Sequence, residues 1–302
     1  MSRLALIAAT LIVLTCPMTA QEPRFRAQTD LVGFTATITD RRGNFVTDLQ
    51  ADQVELLEDG VPQQIRLFSH GEQDIAPELH VGLLLDTSGS MGDDIGLARS
   101  AAIRFLNTLT DAKDMTLVDF DTEIRIAKYE QASFPRMVER IRARKPEGLT
   151  ALYDALGAYL SDAAEEAGRK ILVVFSDGGD TRSETSFSRL VTMLRASDAT
   201  VYVVGLLDHQ LQFTRGDQRV RLTQIAAEAG GEAFFPHVMK EVEEAYAKIL
   251  AQIRAQYVIG YISSNTKADG TWRKVEIKVK RSDVRGPRVQ ARKGYFADAP
   301  RP

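Results

Sequence analysis

An aspartate and two serines follow one apolar run of the chain, at a spacing that can bind a small cation. Residues 83–85 are leucines, and Asp86, Ser88 and Ser90 come directly after them. A strand that ends there brings one carboxylate and two hydroxyls into a single tight turn. Oxygen ligands of this kind suit a hard divalent cation, Mg²⁺ first, with Mn²⁺ or Ca²⁺ as alternatives. The cluster therefore predicts a metal site built from oxygen atoms.

Two later segments carry further oxygen-bearing side chains at predicted strand ends. Thr150 follows a glycine and a leucine, and Asp177 follows the apolar run that ends at Ser176. Aspartate and serine also cap helices, so Asp86 and its serines alone would indicate only a helix start near Asp93. Three separate segments with the same placement favour metal binding over capping. We therefore predict one metal site with these five residues and no catalytic group: Asp86, Ser88, Ser90, Thr150 and Asp177.

The elements that would position these residues are strands alternating with helices, between about Glu78 and Ser263. Apolar runs of strand length alternate there with amphipathic segments of ten to fifteen residues. This alternation predicts an α/β fold, with a doubly wound, mainly parallel sheet and helices on both faces. Ligands of such sheets bind at the carboxyl ends of the strands. We expect a loop over Asp208–Arg221 at the metal end, a last helix at Glu241–Ala255 and a last strand at Tyr257–Ile262.

Period-two patterns flank this segment on both sides. Val32, Phe34 and Ile38 alternate with polar or small residues, and Val275 and Ile277 alternate with charged ones. Each flank is too short to fold alone, so we expect both to join in one small β module. The predicted domains are therefore a signal peptide at 1–20, N-terminal β strands at 24–72, the α/β domain at 78–263, and C-terminal β strands at 268–297 packed with 24–72.

The composition and the first twenty residues bound the compartment and the partners. The 302 residues are 44% apolar and 26% charged with a formal net charge of −3, which does not favour nucleic acid as a partner. Arg3, a short apolar run and Met18-Thr-Ala20 are typical of a cleaved secretory signal. An uncleaved anchor and a lipid attachment at Cys16 remain alternatives. No other segment is apolar enough to cross a membrane. The secretory signal therefore predicts export to the periplasm, the cell surface or the medium, with envelope association as an option.

Several classes of chemistry are excluded by what the sequence lacks. Cys16 is the one cysteine, so a chain cleaved after Ala20 has no disulfide, thiolate or cysteine-bound zinc. The sequence has neither a Walker-type phosphate loop nor a Gly-x-Ser-x-Gly elbow, and no general base is apparent. Residues 273–293 are rich in lysine and arginine. This segment is either a solvated strand face or a patch for anionic lipid or glycan.

The segment Glu78–Ser263 resembles the von Willebrand factor type A domain. The five candidate ligands correspond without substitution to that family's metal-ion-dependent adhesion site, while Glu58–Gln63 and Arg292–Phe296 resemble a bacterial exported group built around the domain. The resemblance implies that Ser88, Ser90 and sometimes Thr150 contact the metal, with the aspartates often acting through water. It also implies an open coordination position that a carboxylate from another protein can fill.

The function expected from these residues is metal-dependent binding of a protein partner. A Mg²⁺ ion would accept an Asp or Glu carboxylate of that partner, in an adhesion or assembly module of the cell envelope that is not an enzyme. Two alternatives stay open. One is a metal-dependent hydrolase acting on envelope material, and the other is a metal-free structural scaffold.

Overall fold

The computed structural model describes residues 31–70, 77–109 and 111–297. The first elements are four strands: β1 (Leu31–Thr39), β2 (Val54–Glu58), β3 (Val61–Gln63) and β4 (Ile65–His70). Strands and helices then alternate: β5 (Leu79–Asp86), α1 (Ile95–Thr108), β6 (Asp114–Phe120), β7 (Ile124–Glu130), α2 (Phe134–Ala143), α3 (Leu152–Ala163), β8 (Arg169–Ser176), α4 (Phe187–Ala196), β9 (Thr200–Gly205), α5 (Gln212–Glu228), β10 (Ala233–Phe234) and α6 (Met239–Arg254). The last elements are strands again: β11 (Tyr257–Ile262), β12 (Trp272–Val279), β13 (Arg288–Ala291) and β14 (Gly294–Phe296).

A six-stranded sheet forms the centre of the α/β segment, in the order β10-β9-β8-β5-β6-β7. Its strands are parallel except β7, which pairs antiparallel with β6. Helices α1, α2 and α6 pack on one face, and α3, α4 and α5 pack on the other. Because both faces are covered, β5 is buried along its whole length, which explains its nearly continuous apolar sequence. Strands β5 and β8 are parallel neighbours in the middle of the sheet, so their carboxyl ends lie side by side.

Two four-stranded antiparallel sheets lie beside this segment, in the orders β13-β1-β11-β4 and β14-β12-β2-β3. Each sheet combines strands from the beginning and the end of the chain, because β1 pairs with β13 and β2 pairs with β12. Their inner faces share one apolar core, in which Phe34, Ile38 and Tyr257 are buried. The predicted fold class, an α/β sheet flanked by a small β module from both termini, is confirmed.

Three elements differ from the sequence-based expectation. Strand β11 pairs with β1 and β4 in an antiparallel sheet, so its predicted place in the parallel sheet was wrong. Its sequence, Tyr-Val-Ile-Gly-Tyr-Ile, is apolar throughout and therefore looks like a strand buried on both faces. Helix α5 begins at Gln212 and occupies much of the expected loop over Asp208–Arg221. Strand β7 was not predicted, since its residues are partly exposed and three of the seven are charged.

A buried ion pair connects β2 and β12 within one sheet of the β module, and Tyr261 of β11 bonds it from the other sheet. Arg273 and Glu58 are both buried, and the guanidinium lies 3.3 Å from the carboxylate. Burial opposes ionisation of Glu58, but hydrogen bonds from Ser263, Tyr261 and Tyr295 hold its pKa below the usual value. Arg273 therefore belongs to the interior of the module. Other basic residues of the 273–293 segment pair with acidic neighbours: Lys274 and Lys278 with Glu276, Lys280 with Glu55, and Arg281 with Asp48 and Asp283.

The predicted signal peptide, with Cys16, lies outside the described residues, and the four domain boundaries stay predictions. Within the described part of the chain, no helix combines the length and the apolar character needed to cross a bilayer.

Candidate metal site

The carboxylate of Asp86 is fixed by two hydrogen bonds at the carboxyl end of β5. Its Oδ1 atom accepts the backbone N–H of Ser88 at 3.0 Å, which closes the turn after the strand. Its Oδ2 atom accepts the hydroxyl of Ser176, at the end of β8, at 2.6 Å. Asp86 is fully buried. The side chain therefore stays in one orientation at the point where the two strands end.

The two serines of the motif lie next to each other in the following turn. The Ser88 and Ser90 hydroxyls are 3.1 Å apart, with Ser88 buried and Ser90 exposed. The N–H of Gly89 donates to the carbonyl of Gly148 at 3.1 Å, and the N–H of Glu147 donates to the carbonyl of Thr87 at 2.9 Å. These bonds hold the loop that carries Thr150 against the serine turn.

The loop before Thr150 needs a glycine at residue 148. Gly148 has a φ of +74°, and a Cβ atom there would lie 2.5 Å from the Thr122 hydroxyl. The buried Thr150 uses its backbone to fix a third loop, because its carbonyl accepts the N–H groups of Thr181 and Arg182. The hydroxyl of Thr150 has no hydrogen-bond partner among the described residues, so it stays available to a ligand.

Asp177 supplies a second buried carboxylate, directly after β8. Its Oδ1 atom accepts the N–H of Gly179 at 3.0 Å, and its Oδ2 atom accepts the side-chain amide of Gln210 at 2.6 Å. Burial raises the pKa of Asp177, while a hydrogen bond from Ser90 opposes that rise. The bond from Ser90 places the serine turn after β5 in contact with the last residue of the predicted set.

The electrostatics of the two aspartates are unfavourable without a cation. Burial, helped by the negative charge of Asp177, raises the pKa of the Asp86 carboxyl to about 7. Neither aspartate forms an ion pair with a described lysine, arginine or histidine. Buried carboxylates are expensive unless a positive charge or a metal accompanies them. The donor set of two carboxylates and three hydroxyls therefore fits a hard divalent cation.

Three residues near this site were missed by the sequence analysis. Gln210 bonds Asp177, and His209 bonds the buried Asp94 at 2.9 Å, which raises the pKa of His209. The other oxygen of Asp94 is buried without a partner in the described residues. Asp94 follows the serine motif closely and was visible as an acidic pair with Asp93. Gln210 and His209 lie in the segment that was expected at the metal end, but nothing in the sequence marked these two residues as contacts of the aspartates.

Other acidic residues of these loops have structural roles. Asp154, which lies close to Thr150 in sequence, accepts the N–H groups of Glu184 and Thr185 and so ties a loop to the start of α3. No group of three or more His, Cys, Asp or Glu side chains in the described ranges is placed to hold a metal ion. A cation at Asp86 and Asp177 would therefore depend on the hydroxyls as well as the carboxylates.

The sequence profile of the von Willebrand factor type A domain matches residues 80–248. The chain belongs to this family. The match contains all five candidate ligands. No curated protein sequence matches the chain at a significant level.

Three solved structures that match this von Willebrand factor type A protein share little sequence with it. The von Willebrand factor type A protein from Catenulispora acidiphila is 13% identical, with 91% of this chain and 75% of that chain covered and a TM-score of 0.50. The PilB minor pilin from Streptococcus sanguinis is 16% identical over 61% of this chain, with a TM-score of 0.47. The chain spans 63% of the length of that pilin. The pilus adhesin SpaC from Lactobacillus rhamnosus GG is 10% identical over 86% of this chain and 47% of that chain, with a TM-score of 0.49.

Proposed function

We propose that this von Willebrand factor type A protein is a metal-dependent protein-binding module of the cell envelope, with a role in adhesion or assembly. The observation that carries the proposal is the pair of buried carboxylates, Asp86 and Asp177, that has hydroxyl neighbours and no cationic partner in the described residues. A Mg²⁺ ion there would be held by these two aspartates with Ser88, Ser90 and Thr150. Mn²⁺ or Ca²⁺ would meet the same oxygen donors.

The partner's group that fits this site is a carboxylate. Mg²⁺ has six octahedral positions, and the site offers two carboxylates and three neutral hydroxyls. Where one of these groups binds the ion through a water molecule, that position is also filled by water. Some positions of the ion are therefore occupied by water. An Asp or Glu of a partner protein can replace such a water and form a bond between opposite charges in a partly dry setting. The protein's residues would then orient the ion and keep one position exchangeable, which is binding and not catalysis.

The exchange step can be tested with Mn²⁺ as the magnetic probe. Water-proton relaxation is measured for the Mn²⁺-loaded protein while a short peptide with one glutamate is added, beside the same peptide with glutamine. The proposal predicts that the glutamate peptide lowers the relaxation enhancement, because its carboxylate replaces metal-bound water, and that the glutamine peptide has no effect.

Two other results would contradict the proposal in different ways. A protein that binds Mn²⁺ but shows equal relaxation with both peptides would have a purely structural metal. A protein that does not bind Mn²⁺ would be a metal-free scaffold.

A further inference from the structure

Large apolar side chains are exposed in two segments that carry residues of the candidate metal site. Leu149, which directly precedes Thr150, is 51% exposed. Leu211 and Phe213, which follow Gln210, are 63% and 78% exposed. Leu149 is the sequence neighbour of Thr150, and Leu211 is the sequence neighbour of Gln210. Their Cα atoms are therefore about 3.8 Å from those of residues at the site. Exposed apolar side chains next to polar ones are a feature of protein interaction sites.

The segment that presents Leu211 and Phe213 is held in place by hydrogen bonds. Gln210 donates to Asp177 at 2.6 Å, and the guanidinium of Arg215 donates to the carbonyls of Asp208 and Gln210 at 2.7 and 3.2 Å. The backbone of the segment is therefore ordered before a partner arrives. A surface fixed in advance avoids part of the entropy cost of binding.

One exposed positive charge lies beside the same site. Arg182 donates its backbone N–H to the carbonyl of Thr150 at 3.0 Å and is exposed. Its guanidinium has no hydrogen bond or ion pair with the described residues. The pKa of Asp154 is lowered by hydrogen bonds from Thr185 and Glu184, and the positive charge of Arg182 contributes to this shift. An exposed cation at this position complements an acidic partner and disfavours a basic one.

We propose that Leu149, Leu211, Phe213 and Arg182 form a docking rim around the metal site. Its occupant is a protein segment in which an acidic residue stands beside a large apolar residue. The acidic side chain is directed to the metal and to Arg182, and the apolar side chain packs on Leu211 and Phe213. This inference rests on the proposed function, since the metal supplies the central contact.

The test uses a display library of short random peptides, selected on the full chain in its exported form at saturating Mg²⁺. Enriched peptides are then titrated into four proteins by fluorescence anisotropy: the wild type, Leu211→Ser/Phe213→Ser, Ser88→Ala/Ser90→Ala, and a matched control. The control is Val61→Ser/Ile126→Ser, which removes two exposed apolar side chains away from the site, on β3 and β7. The melting temperature of each variant checks that it is folded.

The proposal predicts enriched peptides that contain Asp or Glu within a few residues of Phe, Leu, Ile, Trp or Met. Their affinity should fall by about tenfold or more in Leu211→Ser/Phe213→Ser, vanish in Ser88→Ala/Ser90→Ala, and stay unchanged in the control. Arg182→Gln should weaken binding less, by about threefold, because the charge is exposed.

Two outcomes would overturn the inference and separate it from the proposed function. Acidic peptides that bind with Mg²⁺ but have no apolar preference, and that bind Leu211→Ser/Phe213→Ser as tightly as wild type, would remove the rim and leave the metal function. Recovery of no peptide that depends on Mg²⁺ would overturn both.

Discussion

Two buried aspartates determine the chemistry at the scale of single residues. Asp86 and Asp177 are both fully buried, and each accepts hydrogen bonds that fix its orientation. A folded domain maintains two adjacent buried carboxylates only at a cost in free energy. A bound cation offsets that cost. Removal of one carboxylate charge should therefore raise the stability of the metal-free protein and lower the stability of the metal-loaded protein.

The substitution Asp86→Asn tests this reversal. In the presence of a chelator the variant should be more stable than wild type by about 1 kcal/mol, since a buried unpaired charge is removed. In Mg²⁺ at about a hundred times the dissociation constant, wild type should gain about 2.7 kcal/mol and the variant should not. Urea unfolding in both conditions measures the difference. A variant that is less stable than wild type in both would show that the carboxylate serves the fold alone.

The sequence predicts the motif residues better than their neighbours. Asp86, Ser88 and Ser90 lie within five positions and follow one strand, so local spacing alone indicates that their oxygens converge. Gln210 contacts Asp177 from a segment 33 residues away, and nothing local in its sequence marks that contact. Contacts between loops depend on the whole sheet and cannot be deduced from spacing.

At the scale of elements, strand β5 positions the site because the sheet leaves it little freedom. Gly82 lies in the middle of β5, where the ring of Tyr159 from α3 packs directly on the backbone. A Cβ atom at residue 82 would lie 2.3 Å from that ring. The close approach of α3 thus fixes the depth of β5 in the sheet, and with it the position of Asp86.

The substitution Gly82→Ala should destabilise the protein by about 1–3 kcal/mol through overpacking. Gly96→Ala is the matched control, since residue 96 is exposed on helix α1 and nothing lies within 4 Å of the position of its Cβ atom. This substitution should stabilise the protein by about 0.5–1 kcal/mol. Thermal unfolding of both variants measures the contrast. Equal effects of the two substitutions would contradict the close packing of Tyr159 on β5.

Strand β12 depends on a buried charge. Replacing Arg273 by methionine leaves the carboxylate of Glu58 buried without its cation and should cost about 3 kcal/mol. The double variant Glu58→Gln/Arg273→Met should lose less than the single variant Arg273→Met, because no charge is then left unpaired. Chemical unfolding of the two proteins tests the order, and a double variant that is less stable than the single one would refute it.

Sequence patterns located most elements but misplaced those with ambiguous periods. Helix α6 (Met239–Arg254) begins and ends within two residues of the predicted Glu241–Ala255, because its amphipathic period is clear. Strand β11 is apolar at nearly every position and was therefore assigned to the parallel sheet, although it belongs to the antiparallel one. The sequence of strand β7 alternates only weakly between apolar and polar residues, so the strand was not recognised.

At the scale of the whole molecule, the α/β segment is inserted between two paired strands of the β module. His70 at the end of β4 is the register partner of Tyr257 at the start of β11. The chain therefore leaves and re-enters the β module at neighbouring positions. This arrangement allows the β module to form its core without the inserted segment, since the buried residues of that core come from its own strands and from the loop between β1 and β2.

Replacing residues 71–256 with a short Asn-Gly turn should give a β protein that folds by itself. The turn would join β4 and β11 as a hairpin, a connection that suits antiparallel neighbours. We expect a β-type circular dichroism spectrum and cooperative urea unfolding, at lower stability than the full chain. An insoluble or unfolded product would show that the module needs the α/β segment.

We expect one divalent cation to be bound by Asp86, Ser88, Ser90, Thr150 and Asp177. Calorimetric titration of Mg²⁺ into the metal-stripped protein tests it most directly, with Ser88→Ala/Ser90→Ala and the control Ser100→Ala/Ser161→Ala, whose hydroxyls donate to helix carbonyls elsewhere. We predict saturable binding at one site in the wild type and the control, and none in Ser88→Ala/Ser90→Ala. Binding that persists in that variant, or is missing in the wild type, would contradict the account.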